Sequence, residues 1–193
     1  NRGLSVVWWT NVRFEKRFDA ALCQLLKASG CIAVSGGLEV ASDRLLQKMN
    51  KGVTVEQVAR VAKAFSDAGI MVHAYLMYGF PTQTKQETID SLELVRQLFA
   101  AGVVHSGFWH QFALTAHSQV GLFPDVFDIR ITGPKHRGFA RNDLFYSEAS
   151  GIDHAMFSEG LSHSLYNYMM GVAMDEPLSY WFDFSIPEPS VSP

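Results

Sequence analysis

The sequence predicts an α/β fold in which about four parallel strands alternate with helices, as in barrel or doubly wound folds. Apolar runs rich in β-forming residues recur along the chain, and segments with helical hydrophobic spacing separate them. Strands that alternate with helices build right-handed βαβ units and a parallel sheet. We therefore predict a unit of alternating strands and helices over residues 1–122, followed by a loop and a mainly helical C-terminal extension over residues 123–193.

Each predicted element depends on a local pattern. Apolar runs predict strands at 4–9, 31–34, 70–78 and 103–112, the last of them interrupted by Gly107. Helices are predicted between these strands, and two of them begin at capping boxes, Thr54 with Gln57 and Thr84 with Glu87. Glycines end the predicted helices at Gly30, Gly52, Gly69 and Gly102. Further on, a loop is predicted over 123–141, one amphipathic helix over 153–171, and an aromatic tail that packs back on the body from residue 177.

The composition excludes several classes of protein. Of the 193 residues, 48% are hydrophobic and 18% are charged, which indicates a globular, core-forming chain. The net charge is −3 and no basic stripe indicates a nucleic-acid partner, and no long apolar span predicts a membrane segment. Cys23 and Cys31 are expected to be buried, reduced thiols, as in a cytoplasmic protein. The chain starts at Asn1, so we expect a fragment of a longer protein.

The candidate site lies at the carboxyl ends of the predicted strands, where parallel folds bind their ligands. This places 36–39, 79–84 and 110–117 on one rim. Glu39 can accept hydrogen bonds from a ribose diol or an amino group, or it can cap the following helix. Gly79 permits close approach of the backbone to a ligand and Pro81 stiffens the turn, so this turn lines an adenine pocket or is purely structural.

Three basic or titratable residues complete the candidate rim. Arg13, after the first strand, can clamp a carboxylate or form a surface ion pair. His110 and His117 can contact substrate or cofactor, or they can be hydrogen-bonded rim residues. A metal site would need a further ligand supplied by the fold, and none is predicted.

Several motifs, in this order and spacing, carry a family resemblance. The chain resembles radical S-adenosylmethionine (radical SAM) enzymes, in particular the branch with an N-terminal cobalamin-binding domain. The motifs are Gly36-Gly-Leu-Glu39, Leu45-Leu-x-x-Met49-x-Lys-Gly52, Tyr75-Leu-Met-Tyr-Gly-Phe-Pro81, Phe112-Ala-Leu-Thr-Ala-His117-Ser118 and Leu165-Tyr-Asn-Tyr-Met169.

The resemblance implies that residues 1–122 are the C-terminal part of a (β/α) partial TIM-like barrel with about four parallel strands. It also implies cofactors and roles for individual residues. In the family, a 4Fe–4S cluster reduces S-adenosylmethionine to a 5′-deoxyadenosyl radical, and cobalamin is a possible further cofactor. The resemblance places Glu39, with Ser35 and Gly37 beside it, at the S-adenosylmethionine pocket. It places Gly79 and Pro81 on the adenine side of that pocket.

The resemblance also implies a substrate rim formed by Arg13, His110 and His117. This sequence departs from the family pattern in two places. The family usually reads Gly-Phe-Pro-Gly-Glu-Thr where this chain has Thr82 and Gln83, so a carboxylate becomes an amide. The Cys-x-x-x-Cys-x-x-Cys cluster loop does not occur in this sequence, so we expect the chain to be inactive alone. Its expected partner is the missing N-terminal part of its own barrel, in an oxidoreductase, methyltransferase or rearrangement enzyme.

Two other functions compete with this hypothesis. The first is a non-catalytic half-barrel that binds a partner or pairs with itself through an exposed strand edge at 4–9. The second is a metal-dependent enzyme that uses His110 and His117; unchanged metal content after loss of both histidines would exclude it.

Overall fold

A computed structural model describes residues 5–133 and 142–192, and its centre is a single parallel sheet. The strand order is β1-β2-β3-β4, with all three neighbouring pairs parallel. The elements are β1 Trp8–Val12, α1 Ala20–Ala28, β2 Cys31–Glu39, α2 Asp43–Lys48, α3 Val55–Asp67, β3 Met71–Tyr78, α4 Lys85–Ala100 and β4 Ser106–Gln111. The predicted fold class is confirmed.

Beyond β4 the chain forms shorter elements. They are α5 Gln119–Leu122, a 3₁₀ turn Pro124–Phe127, β5 Ile129–Ile131, β6 Tyr146–Glu148, a 3₁₀ turn His154–Phe157, α6 Ser158–Met169 and a 3₁₀ turn Leu178–Trp181. The predicted loop over 123–141 is therefore partly wrong, because β5 pairs antiparallel with β6. Residues 134–141 of that prediction lie outside the described residues. The single helix predicted over 153–171 begins instead as a 3₁₀ turn, capped by Asp153, whose Oδ1 accepts from the Ala155 N–H.

The first two strand predictions are wrong at their ends. β1 begins at Trp8, because its pairing with β2 begins where the Trp8 N–H donates to the Gly30 carbonyl. Val6 and Val7, predicted as strand, are more than 60% exposed. β2 continues past Val34 to Glu39, because neighbouring strands flank it on both sides over this stretch.

Two other local expectations changed. Gly107 does not interrupt β4; a Cβ there would lie 3.1 Å from the Ala74 carbonyl oxygen, so the glycine permits close packing. The capping box at Thr84 is confirmed. At Thr54 only half of it forms, since the Gln57 side chain donates to the Phe14 carbonyl at 2.9 Å.

The helices cover one face of the sheet. Val34, Val72, Ala74 and Leu76 share a single buried cluster with apolar residues of α1, α3, α4 and α6. The opposite face exposes large side chains. These include Trp9, Met71, Tyr75 and Phe108, which are 64%, 51%, 38% and 60% exposed.

Helices on one face only distinguish a barrel wall from a doubly wound sheet, which carries helices on both faces. The exposed face is the one that points inward in a barrel. The division of the chain at residue 122 stays a prediction, although α6 packs on β4 and α4 within the same helix layer. Within the described residues no helix is both long enough and apolar enough to cross a membrane.

Candidate functional site

A cavity of about 800 Å³ opens at the carboxyl ends of β2, β3 and β4. Glu39 from β2, Met77 from β3 and His110 from β4 line it, together with Lys51 from the segment between α2 and α3. Met77 and His110 are register partners, so adjacent strands present both side chains at the same level. The predicted rim therefore brings Glu39 and His110 into one cavity.

A smaller cavity of about 360 Å³ adjoins the first, and Glu39 and Lys51 line both. Arg13 and Gly37 line this second cavity. The Arg13 guanidinium is not in a surface ion pair; its Nη2 donates to the Lys51 carbonyl at 2.6 Å. Four of the predicted residues thus surround one two-part depression on the strand ends.

Glu39 has an unusual backbone at the centre of this depression. Its φ is +59°, in the left-handed region, which costs a non-glycine residue about 1–2 kcal/mol. Its carboxylate Oε1 accepts from Lys51 Nζ at 2.6 Å and folds over Gly37, where an added Cβ would lie 2.4 Å from that oxygen. It does not cap α2, because Ser42 does. Strained residues of this kind cluster at ligand sites.

Lys51 is a site residue that sequence reasoning missed. The Lys51-Gly52 pair indicated only the end of a helix, whereas the structure turns the lysine back to the strand ends. Its ammonium neutralises Glu39, whose side chain is 17% exposed. The available signal was a lysine next to a glycine at the end of the helix that follows Glu39.

Most of the Gly79-to-Gln83 turn lies behind the cavity wall. Gly79 and Pro81 are buried, and only Phe80 of this turn lines the large cavity. The fully buried Gln83 organises the turn, since its Oε1 accepts from the N–H groups of Gly79 at 2.8 Å and Phe80 at 3.2 Å. The amide at position 83 therefore accepts two backbone hydrogen bonds within the turn.

Two predicted site residues lie elsewhere. Ser35 is buried within β2, level with His73 and well below the strand ends. His73 Nδ1 lies 2.8 Å from Ser106 Oγ, and burial lowers the pKa of His73. His117 is exposed before α5 and lines neither cavity.

The cysteines do not fit an iron–sulfur cluster. Cys23 and Cys31 are free, and both are buried in the core beneath the sheet. Burial raises the pKa of both thiols, which opposes the thiolate form that iron ligation needs. Across 5–133 and 142–192, no three His, Cys, Asp or Glu side chains gather as a metal site.

Comparison with known protein families finds one superfamily that part of the chain matches. The sequence pattern of the radical SAM superfamily matches residues 10–95, the stretch from β1 to the middle of α4 that carries Glu39, Lys51 and the Gly79 turn. Over this stretch the chain is similar to the radical SAM superfamily.

Two curated relatives each match about half of the chain. An uncharacterized methyltransferase of Pyrococcus horikoshii is 28% identical over 96 residues, which cover 50% of this chain and 21% of that protein. The anaerobic magnesium-protoporphyrin IX monomethyl ester cyclase of Rubrivivax gelatinosus is 31% identical over 96 residues, or 49% of this chain and 17% of that protein. The chain matches about a fifth of the length of these relatives.

One solved structure has the same fold as most of this chain. It is the radical S-adenosylmethionine methyltransferase TsrM from Kitasatospora setae, with cobalamin and a 4Fe–4S cluster bound. The TM-score is 0.56 at 16% identity, covering 83% of this chain and 36% of TsrM. The matched region therefore has the architecture of a partial radical SAM barrel.

Proposed function

We propose that this chain supplies the distal wall of the S-adenosylmethionine pocket, and part of the substrate rim, in a cobalamin-dependent radical SAM enzyme of the methyltransferase type. One observation carries the proposal: a strained carboxylate, Glu39, stands in a cavity of about 800 Å³ on the strand ends, within the stretch that matches the family. The methyltransferase and cobalamin parts rest on the relatives.

The chemistry of Glu39 suits this cofactor. Its carboxylate accepts hydrogen bonds from the hydroxyl and amino donors of S-adenosylmethionine, and Lys51 Nζ holds the same oxygen at 2.6 Å. Binding would exchange the lysine donor for a cofactor donor. When bound, the cofactor supplies the 5′-deoxyadenosyl radical. The residues of this chain bind it, orient it and exclude water.

The 4Fe–4S cluster and the remaining strands belong to other parts of the proposed enzyme. Because Cys23 and Cys31 do not fit a cluster, its ligands would lie outside the sequence printed above, and the chain alone would be inactive. The missing strands would cover the exposed aromatic face of the sheet. We further propose a cytoplasmic oxidoreductase or methyltransferase, because radical chemistry of this kind needs a reducing compartment.

Binding of S-adenosylhomocysteine, a non-reactive analogue, tests the pocket. Titration calorimetry on the chain should detect binding, and Glu39→Gln should weaken it about tenfold or more, because a charged hydrogen bond contributes about 1.5–3 kcal/mol. Glu56→Gln is the matched control, since Glu56 is exposed on α3. No binding, or equal loss in both variants, would overturn the proposal.

A second candidate function is a non-catalytic half-barrel that pairs with itself. The exposure of Trp9, Tyr75 and Phe108 on the open face favours it, because isolated proteins rarely leave such a patch uncovered. Sedimentation equilibrium separates the two functions. A stable dimer that fails to bind S-adenosylhomocysteine favours the module, and a monomer that binds it favours the pocket.

A further inference from the structure

Two residues of the turn behind the rim cavity have left-handed backbone conformations. Gly79 has a φ of +76°, which suits glycine, and Thr82 has a φ of +72°. A β-branched residue is an outlier in this region, since its side chain crowds the backbone. The turn therefore needs contacts from outside itself to keep this shape.

Those contacts come from the segment 146–154, more than 60 residues further along the chain. The Thr82 N–H donates to Glu148 Oε2 at 3.1 Å, and the Tyr146 hydroxyl donates to the Gly79 carbonyl at a longer 3.4 Å. His154 packs directly on Gly79, where an added Cβ would lie 3.0 Å from the His154 Cβ. Both ends of the turn are thus gripped.

The opposite side of Thr82 is anchored by α2. Arg44 Nη2 donates to the Thr82 carbonyl at 2.8 Å and to Glu87 Oε2 at 2.7 Å. Glu148 therefore accepts from the Thr82 N–H, and Arg44 donates to the Thr82 carbonyl. Thr82 is consequently fixed between two charged groups from distant segments.

Glu148 is a carboxylate with little access to water. Its side chain is 8% exposed, and His154 Nε2 lies 3.0 Å from its Oε1 but outside hydrogen-bonding alignment. Burial, and then the charge of Glu148, raise the pKa of Tyr146 to about 12, so this hydroxyl remains a donor. A buried carboxylate needs hydrogen bonds to be tolerated, and the Thr82 N–H supplies one.

The same segment lines a cavity of about 450 Å³ beside the rim cavity. Gln111 and Phe112 line both cavities, so the two share a wall at the end of β4. Tyr146, Glu148 and His154 form the far side of the smaller one. The segment therefore connects the Gly79 turn to the substrate side of the rim.

We propose that Glu148 is a positioning residue, which holds the Thr82 N–H and thereby fixes the Gly79–Thr82 turn, whose Phe80 lines the rim cavity proposed to take the cofactor. The effect on cofactor binding rests on the proposed function, whereas the hydrogen bond between Glu148 and the Thr82 N–H does not. Glu148 touches neither reacting atoms nor cofactor; it acts through the turn.

Two measurements on three variants test it. Glu148→Ala should speed amide hydrogen exchange at Thr82 at least tenfold, and should weaken S-adenosylhomocysteine binding at least tenfold, because the turn loses a charged acceptor. Glu148→Gln should restore most of both, since its amide oxygen can accept the same N–H. Tyr146→Phe should change each less than threefold, because its hydrogen bond is long.

The outcomes separate this inference from the proposed function. Glu159→Ala, an exposed carboxylate on α6, is the control and should change neither quantity. If Glu148→Ala speeds exchange at Thr82 but the wild-type protein does not bind S-adenosylhomocysteine, the proposed function and the effect of Glu148 on binding are both overturned. The hydrogen bond from Thr82 to Glu148 would still be supported. Unchanged exchange and affinity in folded Glu148→Ala would overturn the inference. If that variant does not fold, Glu148→Met replaces it, because methionine keeps the side-chain length without an acceptor oxygen: faster Thr82 exchange with weaker binding supports the inference, and unchanged affinity overturns it.

Discussion

Replacement of Gly79 by alanine measures how tightly His154 packs on the turn. The new methyl group would lie 3.0 Å from His154 Cβ, 3.3 Å from its Cγ and 3.4 Å from Gln111 Cγ. Left-handed alanine costs about 1–2 kcal/mol, and crowding in a packed site adds about 1–3 kcal/mol. Reduced freedom of the unfolded chain returns about 0.4–1 kcal/mol. We expect a net loss of about 2–4 kcal/mol in the free energy of unfolding.

Gly102 provides the matched control. Its φ is +64°, close to the +76° of Gly79, and nothing lies within 4 Å of an added Cβ. Gly102→Ala should therefore lose only about 0.5–1 kcal/mol, the backbone cost less the unfolded-state gain. The difference between the two variants isolates the crowding against His154.

Urea titration followed by tryptophan fluorescence gives both free energies, with the slope expected to stay constant. Equal losses in the two variants, within about 0.5 kcal/mol, would refute the packing of His154 on Gly79. Such a result would also remove one of the three contacts by which segment 146–154 grips the turn.

Two further outcomes are expected. Thr82→Gly should raise the free energy of unfolding by about 1 kcal/mol, because it relieves a strained left-handed residue and loses only an exposed hydrogen bond from Arg44; a lower urea midpoint would contradict this. Hydrogen bonds from Arg96 lower the pKa of Glu93 below its unfolded value of about 4.3, so this stabilisation is present above that pH and is lost as the pH falls through the folded pKa. Glu93→Gln should flatten that acid-side decline in urea titrations between pH 3 and pH 7, and superimposable profiles would count against it.

Most of the half-barrel was predictable because its signals are local. The apolar run before Gly79 and the Thr84–Glu87 capping box each act over a few residues, and both formed as expected. β1 was misplaced, since Val6 and Val7 have strand-forming side chains but no strand to pair with. β5 and β6 are three residues long, too short to show a period, and exist only because they pair with each other.

The candidate site was predictable only in part. Strand topology placed Glu39 and His110 on one rim, because parallel strands end at the same edge. Lys51 was missed, because its contact with Glu39 depends on how the segment after α2 folds back. Glu148 was missed for a stronger reason, since 66 residues separate it from Thr82.

The sequence by itself determined the alternation of strands and helices, the glycine turns between them, and the match of residues 10–95 to the radical SAM superfamily. Only the tertiary structure decided which face of the sheet stays open, that Lys51 neutralises Glu39, and that Glu148 grips Thr82. Hydrophobic period and helix caps act between near neighbours in the chain. The buried carboxylate of Glu148 meets its hydrogen-bond donor only when folding brings distant segments together, so no local sequence pattern predicts that hydrogen bond.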